Sequence, residues 1–451
     1  MIDISPELLT IIMFGGLLVL ITTGYPLGIL LVGMGLGIGF LLMGPSVFEM
    51  FRLGSFKILS SFTFMAVPLF IFMGAMVEKS GLAEKMFDVL YVVLGGMRGG
   101  LALAVIVIAT ILATCVGIIA ASVIAMGLIA YPIMIKRGYD KSFAAGCVCG
   151  GGTLGTLIPP SILLIVYGPT ANISVGKLFM SSFVAGFIVS AGYAIYVLVR
   201  AYVQKRIAPP VPLEERQLPL SRKLMMIPSS FLPPMVLILA VLGTIFFGIA
   251  TPTEAAGVGA FAAVLMVAGY RRFNWSVLFY SISSTISATC MVMLVALGAL
   301  IFTTTFDYGG GADVVSKLIL AAPGGKWGSL FVILFIVLIL GCFIDWIGIV
   351  FLVVPIATPI GAALGFDPLW FAMMIIVDLH TAYLTPPFAT AVFFLKGVVK
   401  QEWGGGITTR EIFIGVMPYI GILLLSLILF AIFPDILLWL PGLMIQAGGG
   451  G

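Results

Sequence analysis

The chain has 451 residues, of which 61% are hydrophobic and only 9% charged, and its net charge is +4. Soluble globular domains are about 25% charged. A chain this apolar cannot cover itself with polar groups in water, so its solvent is mostly lipid. The small positive charge is spread over loops, which excludes a basic nucleic-acid-binding face.

The N-terminus, Met1 to Pro6, has no basic stretch ahead of the first apolar run. That run is expected to be a retained helix, not a cleaved signal. Runs near the roughly 20 residues that cross a hydrocarbon core occupy 8–23, 27–44, 58–77, 177–200, 226–250, 254–270, 277–305 and 411–433. Residues 46–57, with Arg52 and Lys57, read as an interfacial segment. Runs 100–136 and 328–363 are too long for one span and too short for two with a loop. Gly117 lies near the centre of the first, and Gly341 and Gly348 near the centre of the second. Each reads as a re-entrant hairpin, which needs protein or a water-filled cavity around its tip.

Runs 142–168 and 369–396 have single-span length but are interrupted. The first contains Gly150-Gly151-Gly152-Thr153-Leu154-Gly155-Thr156-Leu157-Ile158-Pro159-Pro160-Ser161, and the second Thr381-Ala382-Tyr383-Leu384-Thr385-Pro386-Pro387-Phe388. Consecutive prolines remove two backbone donors, and the glycines permit conformations that other residues avoid. Both runs are predicted to be discontinuous helices. The polar stretch from Arg200 to Lys223 reads as a surface linker between two halves.

The halves match at a constant offset of 227. Cys115 pairs with Cys342, Pro132-Ile133 with Pro359-Ile360, Gly138-Tyr139-Asp140 with Gly365-Phe366-Asp367, and Pro159-Pro160 with Pro386-Pro387. Five crossings separate the two hairpins: the first broken helix, 177–200, 226–250, 254–270 and 277–305. An odd number turns the second copy upside down. The predicted fold is an all-α polytopic membrane protein of two inverted repeats, each with a re-entrant hairpin and a discontinuous helix. Such repeats are a signature of secondary transporters. The expected parts are scaffold helices in 1–57, a first repeat in 58–203, a linker in 204–225, scaffold helices in 226–272, a second repeat in 273–434 and a tail in 435–451. The linker's Arg200, Lys205, Arg206, Arg216, Arg222 and Lys223 make it cytoplasmic by the positive-inside rule. The N-terminus then falls outside, as do Arg52 and Lys57. Hairpin one opens to the cytoplasm and hairpin two to the other side.

The broken segments are the candidate site. Unwound backbone frees carbonyls, and Thr153, Thr156 and Ser161 add hydroxyls. These oxygens suit a hard cation such as Na⁺. The half-helix after Pro159-Pro160 points free N–H groups at the midplane, which suits an anionic solute. Asp345, in the tip of hairpin two, is either a functional carboxylate at membrane depth or a cap on the hairpin's own backbone, and Asp378 has the same two readings. His380, the chain's one histidine, either contacts solute or carries a proton, or else is hydrogen-bonded structure. Cys115, Cys147, Cys149, Cys290 and Cys342 lie in apolar runs and read as packing residues, because the i, i+2 pair Cys147 and Cys149 is a poor chelate. No hydrolytic triad or zinc site is visible, and no phosphate-cradling motif, so neither an enzyme nor ATP fuel is expected. No arginine lies in the expected core, which leaves a carboxylate to helix N-termini and hydroxyls.

Several of these segments carry a resemblance. Gly138-Tyr139-Asp140-Lys141-Ser142-Phe143-Ala144-Ala145, Gly152-Thr153-Leu154-Gly155, Leu157-Ile158-Pro159-Pro160-Ser161, Gly176-Lys177-Leu178-Phe179, Thr251-Pro252-Thr253-Glu254-Ala255-Ala256 and Leu384-Thr385-Pro386-Pro387 resemble the large membrane subunit (DctM type) of the tripartite ATP-independent periplasmic (TRAP) transporters. The resemblance implies a Na⁺-driven elevator transporter in the bacterial inner membrane. It would take an organic acid from a periplasmic solute-binding protein and work with a small four-helix membrane subunit, with no cofactor beyond the coupling ion. Sodium ligands are then expected among Gly117, Ser122, Gly152, Thr153, Gly155, Gly341, Asp345, Gly348 and Thr385. Solute contacts are expected among Thr156, Pro159, Pro160, Ser161, His380, Pro386, Pro387 and Thr390. Two departures stand out. The family's frequent Gly-Ser-Ser at the first tip is Gly117-Ile118-Ile119 here, and its Asn-Leu-Glu-Ile-Gly at the second break is Asp378-Leu379-His380-Thr381-Ala382. The rival reading is an inverted-repeat organic-anion/Na⁺ symporter that works without a binding protein.

Overall fold

The computed structural model describes residues 4–212, 214, 220–404 and 406–447. All regular structure among them is helical. In lipid every backbone donor and acceptor must be met inside the chain, and a helix does this within one segment. The first half runs α1 (Pro6–Ile21), α2 (Leu27–Met43), α3 (Ser46–Leu59), α4 (Ala66–Glu78), α5 (Leu82–Leu94), α6 (Gly100–Val116), α7 (Ile119–Lys136), α8 (Lys141–Leu157), α9 (Ile162–Ala171) and α10 (Val175–Val203). The second half runs α11 (Leu220–Ile238, continued through a π turn to Phe246), α12 (Pro252–Gly269), α13 (Trp275–Tyr308), α14 (Gly311–Leu320), α15 (Gly325–Gly341), α16 (Trp346–Ala363), α17 (Pro368–Ala382), α18 (Thr390–Val398) and α19 (Thr409–Ile432). A last helix, α20 (Asp435–Ala447), follows. Among the described residues seven helices are long and apolar enough to cross a membrane, or nine if the bent pairs α3–α4 and α8–α9 each count as one span.

The element order repeats. α7 and α16 start at 119 and 346 and end at 136 and 363, so 346 − 119 and 363 − 136 both give 227. α8 and α17 start at 141 and 368, each capped by an aspartate at the same offset. Asp140 accepts from the Phe143 amide at 2.8 Å and Asp367 from the Trp370 amide at 2.9 Å, an ordinary N-cap. α1 and α11 also correspond, since each carries a π turn, at Ile11–Gly15 and Leu239–Gly243.

Three expectations change in detail. The run 58–77 is not one helix: α3 and the stretch leading into α4 meet at a 60° bend, whereas α13 crosses the matching region as one 34-residue helix. The amphipathic helices α5 and α14 have no counterpart among the apolar runs, although Leu82, Met86 and Leu90 bury one face at helical spacing. The expected tail begins as helix α20, which packs on α10 and α17. The described part of the linker is also less free than a surface loop. Ile207 O accepts from the Asp140 amide (2.9 Å), and the Val211 amide donates to Gly95 O (2.8 Å).

Packing exchanges partners between the halves. α2 lies on α13, and α12 lies on α4. Small residues let these backbones approach. A Cβ on Gly35 would sit 2.8 Å from the Phe302 nitrogen, and one on Gly259 would sit 2.7 Å from Met73 Sδ. Thr305 Oγ1 donates to Gly35 O at 2.9 Å. Likewise α9 packs on α16 and α18 on α7.

Gly35→Val is therefore expected to destabilise the α2–α13 contact by about 1–3 kcal/mol, read as a lower Tm of the detergent-purified protein. Gly33→Val is the control, because nothing lies within 4 Å of a Cβ there, and it should leave Tm unchanged.

Candidate functional site

The two hairpin tips meet the two helix breaks. Between α6 and α7 the chain turns at Gly117, whose φ is +67°, a conformation that favours glycine. A Cβ there would also stand 3.1 Å from Pro160 O, so the tip lies against the first break. Between α15 and α16 the tip spans 342–345, and a Cβ on Gly341 would stand 2.4 Å from Ala382 Cβ, at the end of α17. Both Pro159-Pro160 and Pro386-Pro387 peptide bonds are cis.

A cavity of about 220 Å³ lies where these pieces converge. Gly117 and Ile118 come from the first tip, Asp345 and Trp346 from the second, Thr156 from the first break and Thr390 from the start of α18. Asp345 holds the N-cap position of α16, yet its side chain makes no capping hydrogen bond. Asp345 is also part of the cavity lining. The matching position in the first half, 345 − 227, is Ile118, so only the second tip brings a charge. The Thr390 hydroxyl has no partner among the described residues.

His380 joins the halves. Its Nε2 lies 3.0 Å from Thr156 Oγ1, and its Nδ1 lies 2.6 Å from Ile376 O. A carbonyl can only accept, so Nδ1 carries a proton; when the ring is neutral, Nε2 accepts from the threonine hydroxyl. The ring also meets Tyr383 edge-on, with centroids 5.4 Å apart. His380 is thus hydrogen-bonded to Thr156, which lines the cavity, and does not itself appear in the lining.

The other expected residues divide. Thr153 Oγ1 donates to Gly150 O (2.8 Å), Ser161 Oγ to Thr156 O (2.6 Å) and Thr385 Oγ1 to Thr381 O (2.7 Å). Each hydroxyl serves the local backbone and keeps its acceptor lone pairs. Ser122 is buried without a partner among the described residues and lies beside Gly155, where a Cβ would stand 3.4 Å from its Oγ. Gly152 faces Val123 and serves the packing of α8 on α7. Gly348 is not at the cavity, since a Cβ there would run into Leu27 and Ile344. Pro159, Pro160 and Ser161 are fully buried, whereas Pro386, Pro387 and Phe388 are exposed. Asp378 lines a different, apolar groove with Phe331, Phe335 and Leu424.

Sequence reasoning missed one wall, formed by Ile71 of α4 and by Ala288, Met291 and Val292 of α13. A signal existed. The stretch Ser281–Thr289 holds six hydroxyl residues (281, 283, 284, 285, 287 and 289) within an otherwise apolar helix. Among the described residues no group of three or more His, Cys, Asp or Glu could hold a metal. Cys147 and Cys149 are free and buried: Tyr419 donates to Cys147 Sγ (3.1 Å), and Cys149 donates to Ala391 O (3.5 Å).

Thr156→Val leaves the buried His380 Nε2 unpaired and should cost about 1–3 kcal/mol, seen as a lower Tm. Thr156→Ser keeps the hydroxyl and should behave as wild type. Equal Tm values for both variants would show that the contact contributes nothing.

Comparison with known proteins supports the sequence resemblance. The chain is 30% identical over 402 residues to the C4-dicarboxylate TRAP transporter large permease protein DctM of Pseudomonas aeruginosa, covering 89% of this chain and 91% of the relative. It is 27% identical over 436 residues to the 2,3-diketo-L-gulonate TRAP transporter large permease protein YiaN of Escherichia coli, covering 93% and 98%. It is 28% identical to the sialic acid TRAP transporter permease protein SiaT of Haemophilus influenzae, covering 86% of this chain and 61% of that longer relative. The crystal structure of the Alcanivorax borkumensis YdaH transporter shares the fold, with a TM-score of 0.59 over 90% of this chain and 96% of that one, at 14% identity. Residues 14–436 match the family profile of the tripartite ATP-independent periplasmic transporter, DctM component, and the chain belongs to that family of membrane transporter subunits.

Proposed function

We propose that this permease subunit imports an organic anion, with a carboxylate as the recognised group, coupled to Na⁺ through an elevator movement. The names of three relatives point to C4-dicarboxylates, sialic acid and a diketo sugar acid, all of which carry a carboxylate, and a fourth is named for isethionate, a sulfonate. The observation that carries the reading is the convergence of both tips and both breaks on one cavity, with the Asp345 carboxylate in its lining. That carboxylate, the tip carbonyls and the Thr390 hydroxyl offer oxygen ligands suited to Na⁺, a hard cation. The α9 and α18 N-termini, which start at the breaks, suit the anion. Thr156, Ser161 and Thr390 supply hydroxyls for orientation.

The partners on this reading are a small four-helix membrane subunit and a periplasmic solute-binding protein. The subunit sits in the bacterial inner membrane with its N-terminus periplasmic. The tips meet helix breaks inside the span formed by α8 and α9, which supports hairpins that turn back at mid-depth. The moving body is α6–α9 with α15–α18, and α1–α4 with α11–α13 make the frame. The stand-alone symporter remains the second reading, separated from the first by uptake with and without binding protein.

Uptake of succinate into proteoliposomes holding the complete transporter is expected to stop when Na⁺ is replaced by choline. Asp345→Asn should keep the protein folded and lower the apparent Na⁺ affinity about tenfold or more, because the charge that balances the cation is gone. Uptake driven by a proton gradient alone, or normal Na⁺ dependence in Asp345→Asn, would reject this reading. Sidedness is tested separately. Cysteines near Arg98 and near Lys326, in a cysteine-free background, should label from opposite faces with an impermeant reagent. Labelling from a single face contradicts the inverted repeat.

A further inference from the structure

Lys57 is a basic residue that the orientation above leaves on the non-cytoplasmic side, against the usual charge bias. Its companion Arg52 is neutralised by an ion pair with Glu49. Lys57 has no carboxylate within salt-bridge distance among the described residues. Its helix is held firmly, since three residues earlier a Cβ on Gly54 would stand 2.5 Å from Leu300 Cδ2 of α13.

Lys57 lines a second cavity of about 270 Å³. On the frame side its wall includes Ser61, Ala296 and Thr303, and across from them lie Thr170 at the end of α9 and Phe351 of α16. This cavity is in line with the central one. Val292 and Ile347 line the central cavity, and Ala296 and Phe351, one helical turn further along the same two helices, line the second. From Val292 to Thr303 the path is about 16 Å of helix rise. A neighbouring cavity of about 460 Å³ shares Thr303 and Pro355 but carries Asp307 and Asp313. Among the residues lining these three cavities, Lys57 is the one cation.

We propose that Lys57 is the residue that receives the organic anion on the non-cytoplasmic side and passes it along the α13–α16 seam to the central cavity. The proposal rests on the Na⁺-coupled anion reading and adds a positioning residue to it. A charge in a cleft with low-dielectric walls focuses its field and raises the local concentration of the opposite ion. An ammonium on a flexible four-carbon stem is a hydrated point charge without bidentate geometry. It attracts a carboxylate without holding it in a fixed pose, as a transfer point requires. Phe351, which stacks on Phe64 with centroids 6.2 Å apart, lies at the inner end of the same chamber.

Two measurements test this. In proteoliposomes with the small subunit and the binding protein, Lys57→Met should raise the half-saturating succinate concentration about fivefold or more, with maximal uptake within about twofold of wild type. Lys57→Arg should restore the wild-type value, and Lys57→Glu should exceed Lys57→Met. The second measurement needs no transport. In a cysteine-free background, Thr170→Cys should react faster with an anionic sulfonatoethyl thiosulfonate than with its cationic trimethylammonio counterpart. Adding Lys57→Met should lower that ratio about tenfold. A ratio that does not move overturns the proposal whatever uptake does, and so does an unchanged half-saturating concentration in a wild type that takes up succinate. If the wild type takes up no succinate, the solute reading fails while a falling ratio still upholds Lys57 as the anion-attracting group.

Discussion

Everything in this structure depends on how an interrupted helix is tolerated inside a membrane-spanning protein. Each break frees backbone groups that lipid cannot meet, so each must be answered by protein. At the first break the Ile158 amide donates to Leu154 O at 2.9 Å, the Ser161 hydroxyl takes Thr156 O, and Ser182 of α10 takes Leu157 O. At the second break the Ala391 amide donates back to Tyr383 O at 3.3 Å, and Thr385 takes Thr381 O. Cys149 reaches across from α8 to Ala391 O. The hairpins complete the enclosure, which explains why a glycine turns at Gly117 and another lies at Gly341, against the breaks they cover.

The two halves repeat in element order but not in chemistry. The first break is entirely buried, while Pro386, Pro387 and Phe388 are exposed. The first tip carries Ile118 where the second carries Asp345, and Thr153 stands where the second half has His380. Asp345, Asp378 and His380 all belong to the second half, and the first half contributes neutral donors and acceptors such as Thr156. A duplicated scaffold can hold one asymmetric site because packing is satisfied by shape in both copies. Charge at membrane depth is costly, and a single carboxylate at the cavity is the less costly arrangement.

Much of this was legible in the sequence. Pro-Pro at a fixed offset carries backbone meaning, so it located both breaks, whereas the Gly-aromatic-Asp match marked the repeat and only the structure shows Asp140 and Asp367 to be N-caps. Most long apolar runs appear as helices within a few residues of their expected bounds. Three features resisted. The bend between α3 and α4 falls at Ser60–Thr63, a brief hydroxyl-bearing interruption of the apolar run, and hydropathy does not report direction. The amphipathic α5 and α14 have half-polar faces that fall below a span's hydropathy. Gly348 looked like a tip residue because it lies near the centre of its run, but its partner is Leu27 of α2, a long-range contact that no local pattern encodes. The fate of His380 was likewise undecidable from sequence, because its partner Thr156 lies 224 residues away.

The exchange of partners between halves bears on how such a protein can move. α9 lies on α16 and α18 on α7, so each half-helix is locked to the hairpin of the other half. Neither half of that cluster can shift alone without uncovering a break. α2 on α13 and α12 on α4 form a second interlocked set, held by close backbone approach at Gly35 and by the Met73 side chain packed on Gly259. Internal motion in either set forfeits tight packing, for which no solvent compensates in lipid. The boundary between the sets is different. It is tight where Gly74 of α4 would place a Cβ 2.4 Å from Val116 O at the first tip. Along α13 and α16, however, it is lined by successive cavities from Val292 to Asp307. These cavities leave room along the seam for the proposed elevator movement.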